Sequence, residues 1–188
     1  PQRALIGSDG GVSLARNIDN RRIDNRNLGY NVTQFYYGDI SQSNFDDGDE
    51  FIAGSQDNGT QVFNNSNLPG LSVSVDPSGG DGSYSAIDSE DGYAILGYTS
   101  RNHFYIEFPI PNGNSLFQMI NAGQAYQISD ETDGDFINVA ELDRTFNVFY
   151  ANSRTDNGAS SITACALGDD SADCTELTAS AISNGRPT

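Results

Sequence analysis

The sequence predicts an all-β chain, built as a β-propeller or a propeller segment of about four blades of four short antiparallel strands, with residues 1–188 as a single segment. Three observations carry this. Helical periodicity is nearly absent, and short apolar or alternating runs recur instead. Clusters of Gly, Asn, Asp and Ser separate those runs; Gly and Asn tolerate positive φ, and Asp caps its own backbone, so the clusters read as turns. Four stretches also share one order of apolar strand, small residue, polar turn and second strand: "ALIGSDGGVSLARN" (4–17), "FIAGSQDNGTQVFNN" (51–65), "AILGYTSRNHFYIEF" (94–108) and "VFYANSRTDNGASSITA" (148–164). Gly7, Gly54, Gly97 and Ala151 occupy matching places, 47, 43 and 54 residues apart. A period in the forties with several strands per period fits propeller blades, because one blade cannot bury both faces until neighbours stack on it. A β-sandwich with irregular loops is the alternative.

In chain order, "ALIG" (4–7) opens the first hairpin, and "RNIDNRRIDNRN" (16–27) follows as a solvated segment whose arginines alternate with Asp19 and Asp24. "VTQFYYGDI" (32–40) and "EFIAG" (50–54) are strands on either side of an acidic turn, "FDDGDE". In "SQDNG", Asp57 is placed to accept backbone N–H groups and Asn58-Gly59 to supply the positive-φ corner, with Thr60 restarting the strand. "LSVSV" (71–75), "YSAI" (84–87), "YAILGY" (93–98) and "HFYIEF" (103–108) continue the pattern. The one plausible helical turn is "NSLFQMINA" (114–122), short enough to be a loop or a strand; "QAYQI", "FINVAEL" and "FNVFYA" complete the strands.

Asp and Glu number 26 against nine basic residues, all arginine, for a formal charge of -17. Such a chain repels nucleic-acid backbone and anionic lipid and favours cationic partners or divalent ions. No run of about 18 apolar residues exists, so no helix spans a membrane. The first residues show no basic then apolar leader, and the expectation is a removed signal or a start inside a larger architecture. Cys165 and Cys174 enclose eight residues and are expected to form a disulfide worth ~2–3 kcal/mol, which points to an oxidising compartment. With His103 the only histidine, two thiolates make a poor zinc site.

"IGSDGGV" (6–12), "LGYNVTQFYYGDIS" (28–41) followed by "FIAGSQDNGTQVF", and "GGDG" (79–82) with "YSAID" resemble the BNR, Asp-box and sortilin-like group of β-propellers, which includes secreted xyloglucanase-type glycoside hydrolases. The resemblance is close over 4–100 and looser over 120–160, and it implies a secreted or cell-surface bacterial protein. An Asp-box ends in Trp, which this chain lacks; the nearest match is "SDETDGDF" (129–136), with Phe136 in the aromatic place. In that group the box is a structural hairpin, so it supports a fold rather than a reaction.

The expected ligand-binding residues are Gln56, Asp57, Asn58, Asp81 and Tyr36, lining a propeller end that meets a glycan or an extracellular protein. Calcium, which seeks hard oxygen donors, is expected at Asp46, Asp49 and Glu50 in "FDDGDE", with Asp47 beside them; Asp76, Asp81, Asp88, Glu90 and Asp91 form a second acidic run. A glycosidase reading requires two carboxyls about 5–10 Å apart, and Asp9 with Asp81 is the pair that would serve. Arg16, Arg21, Arg22 and Arg26 have interleaved aspartates that favour local ion pairing over a carboxylate clamp. Sequons stand at Asn31, Asn58 and Asn64. The function expected is a non-catalytic extracellular structural or binding module. A propeller glycoside hydrolase and a self-assembling filament subunit, pairing exposed strand edges, are the alternatives.

Overall fold

A computed structural model describes residues 3–8, 11–17, 22–26, 33–41, 50–63, 74–110, 114–154 and 160–177. The chain is all-β, with four small antiparallel sheets and one short helix among the described residues. It divides into two compact units, Pro1–Thr33 and Gln34–Thr188.

The first unit is a three-stranded meander of β1 (Ala4–Ser8), β2 (Gly11–Asn17) and β3 (Arg22–Asn25), in that order across the sheet. "RIDN", expected to be a solvated segment, is thus a strand, in register with Ala15 opposite Ile23. Ala15 is the one buried hydrophobic of this unit among the described residues, while Leu5 is 74% exposed and Ile23 57%.

The second unit holds three sheets. β4 (Phe35–Ile40), β5 (Phe51–Ser55) and β6 (Thr60–Phe63) make one. β7 (Ser85–Asp88), β8 (Tyr93–Gly97), β9 (Arg101–Glu107) and β10 (Ala125–Glu131) make the second, and β11 (Ala140–Asp143), β12 (Val148–Arg154), β13 (Ser160–Leu167) and β14 (Ala172–Leu177) the third. All four repeated hairpins are present: β1–β2, β5–β6, β8–β9 and β12–β13.

The β7–β10 sheet is central because β8 is apolar on both faces. Side chains alternate across a strand, so Tyr93 and Ile95 enter one core and Ala94 and Leu96 the other. The first core joins Tyr84, Tyr105 and Ile128 to Leu142, Phe149, Ala151 and Cys165 of the β11–β14 sheet. The second joins Ile87 and Ile106 to Ile52 and Val62 of β5 and β6 and to Met119 of α1 (Leu116–Asn121). "NSLFQMINA" is therefore helical at its centre: Ser115 caps it and Gln118 returns the bond in a capping box. Arg144 pins the sheets together, donating to the Ile87 carbonyl at 2.8 Å and to the Asp39 carboxylate of β4. Arg101 of β9 likewise reaches Asp133 at 2.8 Å and Thr163 of β13 at 2.6 Å.

Cys165 and Cys174 are bridged, directly opposite each other on β13 and β14. The predicted disulfide thus staples two strands, with the polar stretch between them turning at Gly168, which donates to the Ser171 carbonyl. No helix among the described residues is long and apolar enough to cross a membrane.

Candidate functional site

The β5–β6 turn is where the expected binding residues meet. Ser55 and Gly59 close it, with the Ser55 amide donating to the Gly59 carbonyl at 3.0 Å. The left-handed positions are Asp57 (φ 59°) and Gly59 (φ 64°). Asn58 was expected to share that corner with Gly59; Asp57 takes it instead, and its short polar side chain tolerates the conformation nearly as well as Asn. The capping role is also reversed: among the described residues no amide donates to the Asp57 carboxylate, and its own amide donates to Asp81 Oδ1 at 3.0 Å.

The other three residues complete the cluster. Tyr36 donates its hydroxyl to Gln56 Oε1, Asn58 Nδ2 donates to the Gln56 carbonyl at 3.0 Å, and Gln61 holds the Asn58 carbonyl. Gln56, Asp57 and Asn58 are exposed, so the turn presents side chains that neighbours already orient.

The loop before β7 presses against this turn without side chains between. The Gly59 amide donates to the Gly80 carbonyl at 2.7 Å, and the Gly82 amide to the Ser55 carbonyl at 2.8 Å. A Cβ on Gly54 would lie 2.0 Å from the Ser83 carbonyl oxygen, so glycine is the residue that permits this approach. Beside it lies a groove of about 280 Å³, walled by Ser78, Gly79, Gly80, Tyr98, Asn102 and Phe104. That volume sits just under the usual small-molecule range and suits one sugar ring or one peptide side chain. Tyr98 packs over Gly80, where any Cβ would strike the ring. The groove draws on segments some twenty residues apart; of its walls Gly79 and Gly80 stand in the "GGDG" stretch, and Tyr98 is an aromatic beside a turn.

In the acidic run 74–92, two of the carboxylates work on their own backbone. Asp76 accepts from the Ser78 and Gly79 amides, and Asp88 from the Glu90 and Asp91 amides. Asp91 accepts from Asn147 at 2.6 Å. Among the described residues no three acidic, histidine or cysteine side chains gather as a metal site. Asp46, Asp47 and Asp49 lie outside the described residues; Glu50 is buried, and its amide donates to Ser41 Oγ at 3.0 Å. Asp9, the proposed partner of Asp81, also lies outside them, as do Arg21, Asn31 and Asn64.

No family model, curated protein or solved structure matches this chain.

Three further positions follow from charge and burial. Arg16, Arg22 and Arg26 all face Asp24, at 2.7, 3.5 and 3.7 Å. The Arg16 hydrogen bond first, then the positive charges of all three, hold the Asp24 carboxyl below its ordinary range. In "SDETDGDF", Asp133 accepts from Arg101 and from the Arg154 amide, whereas Phe136 is 55% exposed and fills no core. His103 is fully buried, edge-on to Phe149 at 4.8 Å, and neither ring nitrogen meets a partner with hydrogen-bond geometry. Burial first and Arg101 second push its pKa down to about 3, opposed slightly by the Arg101 backbone nearby. A neutral imidazole in that core serves packing.

Proposed function

We propose that this chain is a non-catalytic extracellular or cell-surface binding module, built as a β-propeller segment, that presents the β5–β6 turn and its groove to a glycan or an extracellular protein. The observation that carries the reading is the convergence of Tyr36, Gln56, Asp57, Asn58 and Asp81 into one hydrogen-bonded cluster beside a groove containing Tyr98 and Phe104. Preorganised polar groups beside an aromatic wall lose little freedom when a ligand docks. The propeller reading draws support from three consecutive meandering sheets joined through two cores, and the extracellular reading from the disulfide. Calcium at Asp46, Asp49 and Glu50 belongs to the same proposal, tested by melting the protein with and without a chelator.

Retention on immobilised neutral and acidic polysaccharides, and on extracellular-matrix protein, tests the site. Binding that falls about tenfold in Tyr98→Ala, and less in Gln56→Ala, supports the reading. Binding that both variants leave unchanged sinks it, as does turnover of a polysaccharide that Asp81→Asn abolishes.

A further inference from the structure

The chain is acidic, but its charge is not evenly spread. Residues 1–33 hold five of the nine arginines and three of the 26 acidic residues, whereas residues 34–188 hold four arginines against 23 acidic residues. The structure gathers part of this excess at one place. Arg16 of β2, Arg22 of β3 and Arg26 just after it share the single carboxylate of Asp24, their side chains 65%, 83% and 41% exposed. Among the described residues no other carboxylate lies within 4 Å of them, so three guanidinium groups stand against one carboxylate there. Arg16, Asn17, Arg22 and Asp24 line a shallow hollow of about 410 Å³. Exposed Leu5 and Ile23 lie on the same small sheet.

We propose that this arginine cluster is a docking surface for a second copy of the chain, received at the acidic edge of the β11–β14 sheet. Charge complementarity selects that occupant. β14 is the last strand of its sheet, five of its six residues are exposed, and it carries Asp173 and Glu176; Asp169 and Asp170 precede it in the turn, also exposed. Guanidinium groups fit carboxylates with two parallel hydrogen bonds, which gives direction as well as attraction. An outer strand also offers unpaired backbone groups to an incoming sheet. The two surfaces differ, so the contact is head-to-tail, and a head-to-tail contact that does not close grows an open chain of copies.

Sedimentation velocity of the full chain tests this at low ionic strength and at about 0.5 M NaCl, where screening reaches only a few Å. The expected result is a mass that rises with protein concentration at low salt and returns to monomer at high salt. Arg16→Ser/Arg22→Ser/Arg26→Ser weakens association at least about tenfold, and Asp169→Ser/Asp170→Ser/Asp173→Ser does the same. Arg22→Ser alone, at the most exposed of the three side chains, gives a smaller loss and guards against misfolding of the triple variant. A mixture of the two triple variants is the sharpest readout, since each retains one surface: dimers form and nothing longer. A monomer at every concentration overturns the proposal, as does association indifferent to salt and to both triple variants. Binding of a soluble polyanion without self-association overturns it too.

Discussion

The β1–β2 and β5–β6 hairpins open with nearly the same words, Ala-Leu-Ile-Gly-Ser and Phe-Ile-Ala-Gly-Ser, and live in opposite surroundings. A Cβ on Gly7 would meet nothing within 4 Å; one on Gly54 would collide with the Ser83 backbone. Leu5 is 74% exposed, and Ile52 in the matching place is fully buried. Identical local grammar therefore makes a hairpin in both places, but only where a second sheet stacks does the same glycine become a packing requirement. The strand is a local property, and the core belongs to neighbouring sheets.

The largest expected difference is in backbone opening. Amides of β7, β8 and β9, enclosed by two cores, should exchange with solvent at least ~1,000-fold more slowly than those of β1–β3, since exchange follows the local opening free energy. Hydrogen exchange read by mass spectrometry checks this, and equal protection in the two regions would break the comparison. Substitution at the paired glycines is the next step down. Gly54→Ala should cost about 3 kcal/mol or more, because the obstruction is backbone and cannot rotate away. Gly7→Ala should change stability by less than ~1 kcal/mol. Urea denaturation of the two variants gives both numbers, and a mild Gly54→Ala would mean that the Ser83 contact is looser than the geometry requires.

The same contrast explains what was legible in the sequence. Strand alternation and turn residues are local, so all four hairpins stand where the repeat places them. β8 announces its two-faced burial by being continuously apolar. β3 and β14 gave no such signal: "RIDN" reads as ion pairs, and "ADCTEL" has no apolar alternation because five of its residues face water. Both are strands because a neighbour's hydrogen-bonding edge recruits them. Turn chemistry located Gln56 to Asn58, and Asp81 and Tyr36 were expected beside them; what the sequence did not carry was the contact itself, since the Asp57–Asp81 bond spans 24 residues and depends on the glycine-lined approach. Phe136 misled for a related reason: its place in a motif says nothing about whether a core lies beside it.

His103 sharpens the comparison through pH. The unfolded imidazole takes up a proton near pH 6.5, whereas the folded one resists until about pH 3. Stability is therefore intact above pH 6.5 and falls as pH drops through that window, with a slope of at most ~1.4 kcal/mol per unit. Asp24 and Asp133, whose pKa values are lowered, add their losses only below about pH 4, as their partners lose the carboxylate charge. His103→Leu should flatten the profile between pH 6.5 and 4 and leave the steeper acid loss in place. Denaturant midpoints measured across pH on both proteins decide it, and a wild-type profile already flat in that window would show that the imidazole reaches water.

The smallest effect concerns the turn itself. Asp81 holds the Asp57 amide at a position where a non-glycine residue keeps a positive φ, and a partly exposed hydrogen bond of this kind contributes ~1 kcal/mol. Asp81→Ala should lower stability by about that amount, and Asp81→Asn, which keeps an acceptor oxygen, by less. The more telling consequence is geometric. With Asp81 gone, Tyr36 and Gln56 still hold each other and the Gly59–Gly80 and Gly82–Ser55 backbone bonds remain, but the turn loses the side-chain tie from the Asp57 amide to the segment that walls the groove. Ligand retention should therefore fall further in Asp81→Ala than the stability loss alone explains. A variant that weakens stability and retention in proportion would place Asp81 in the scaffold and leave the groove rigid without it.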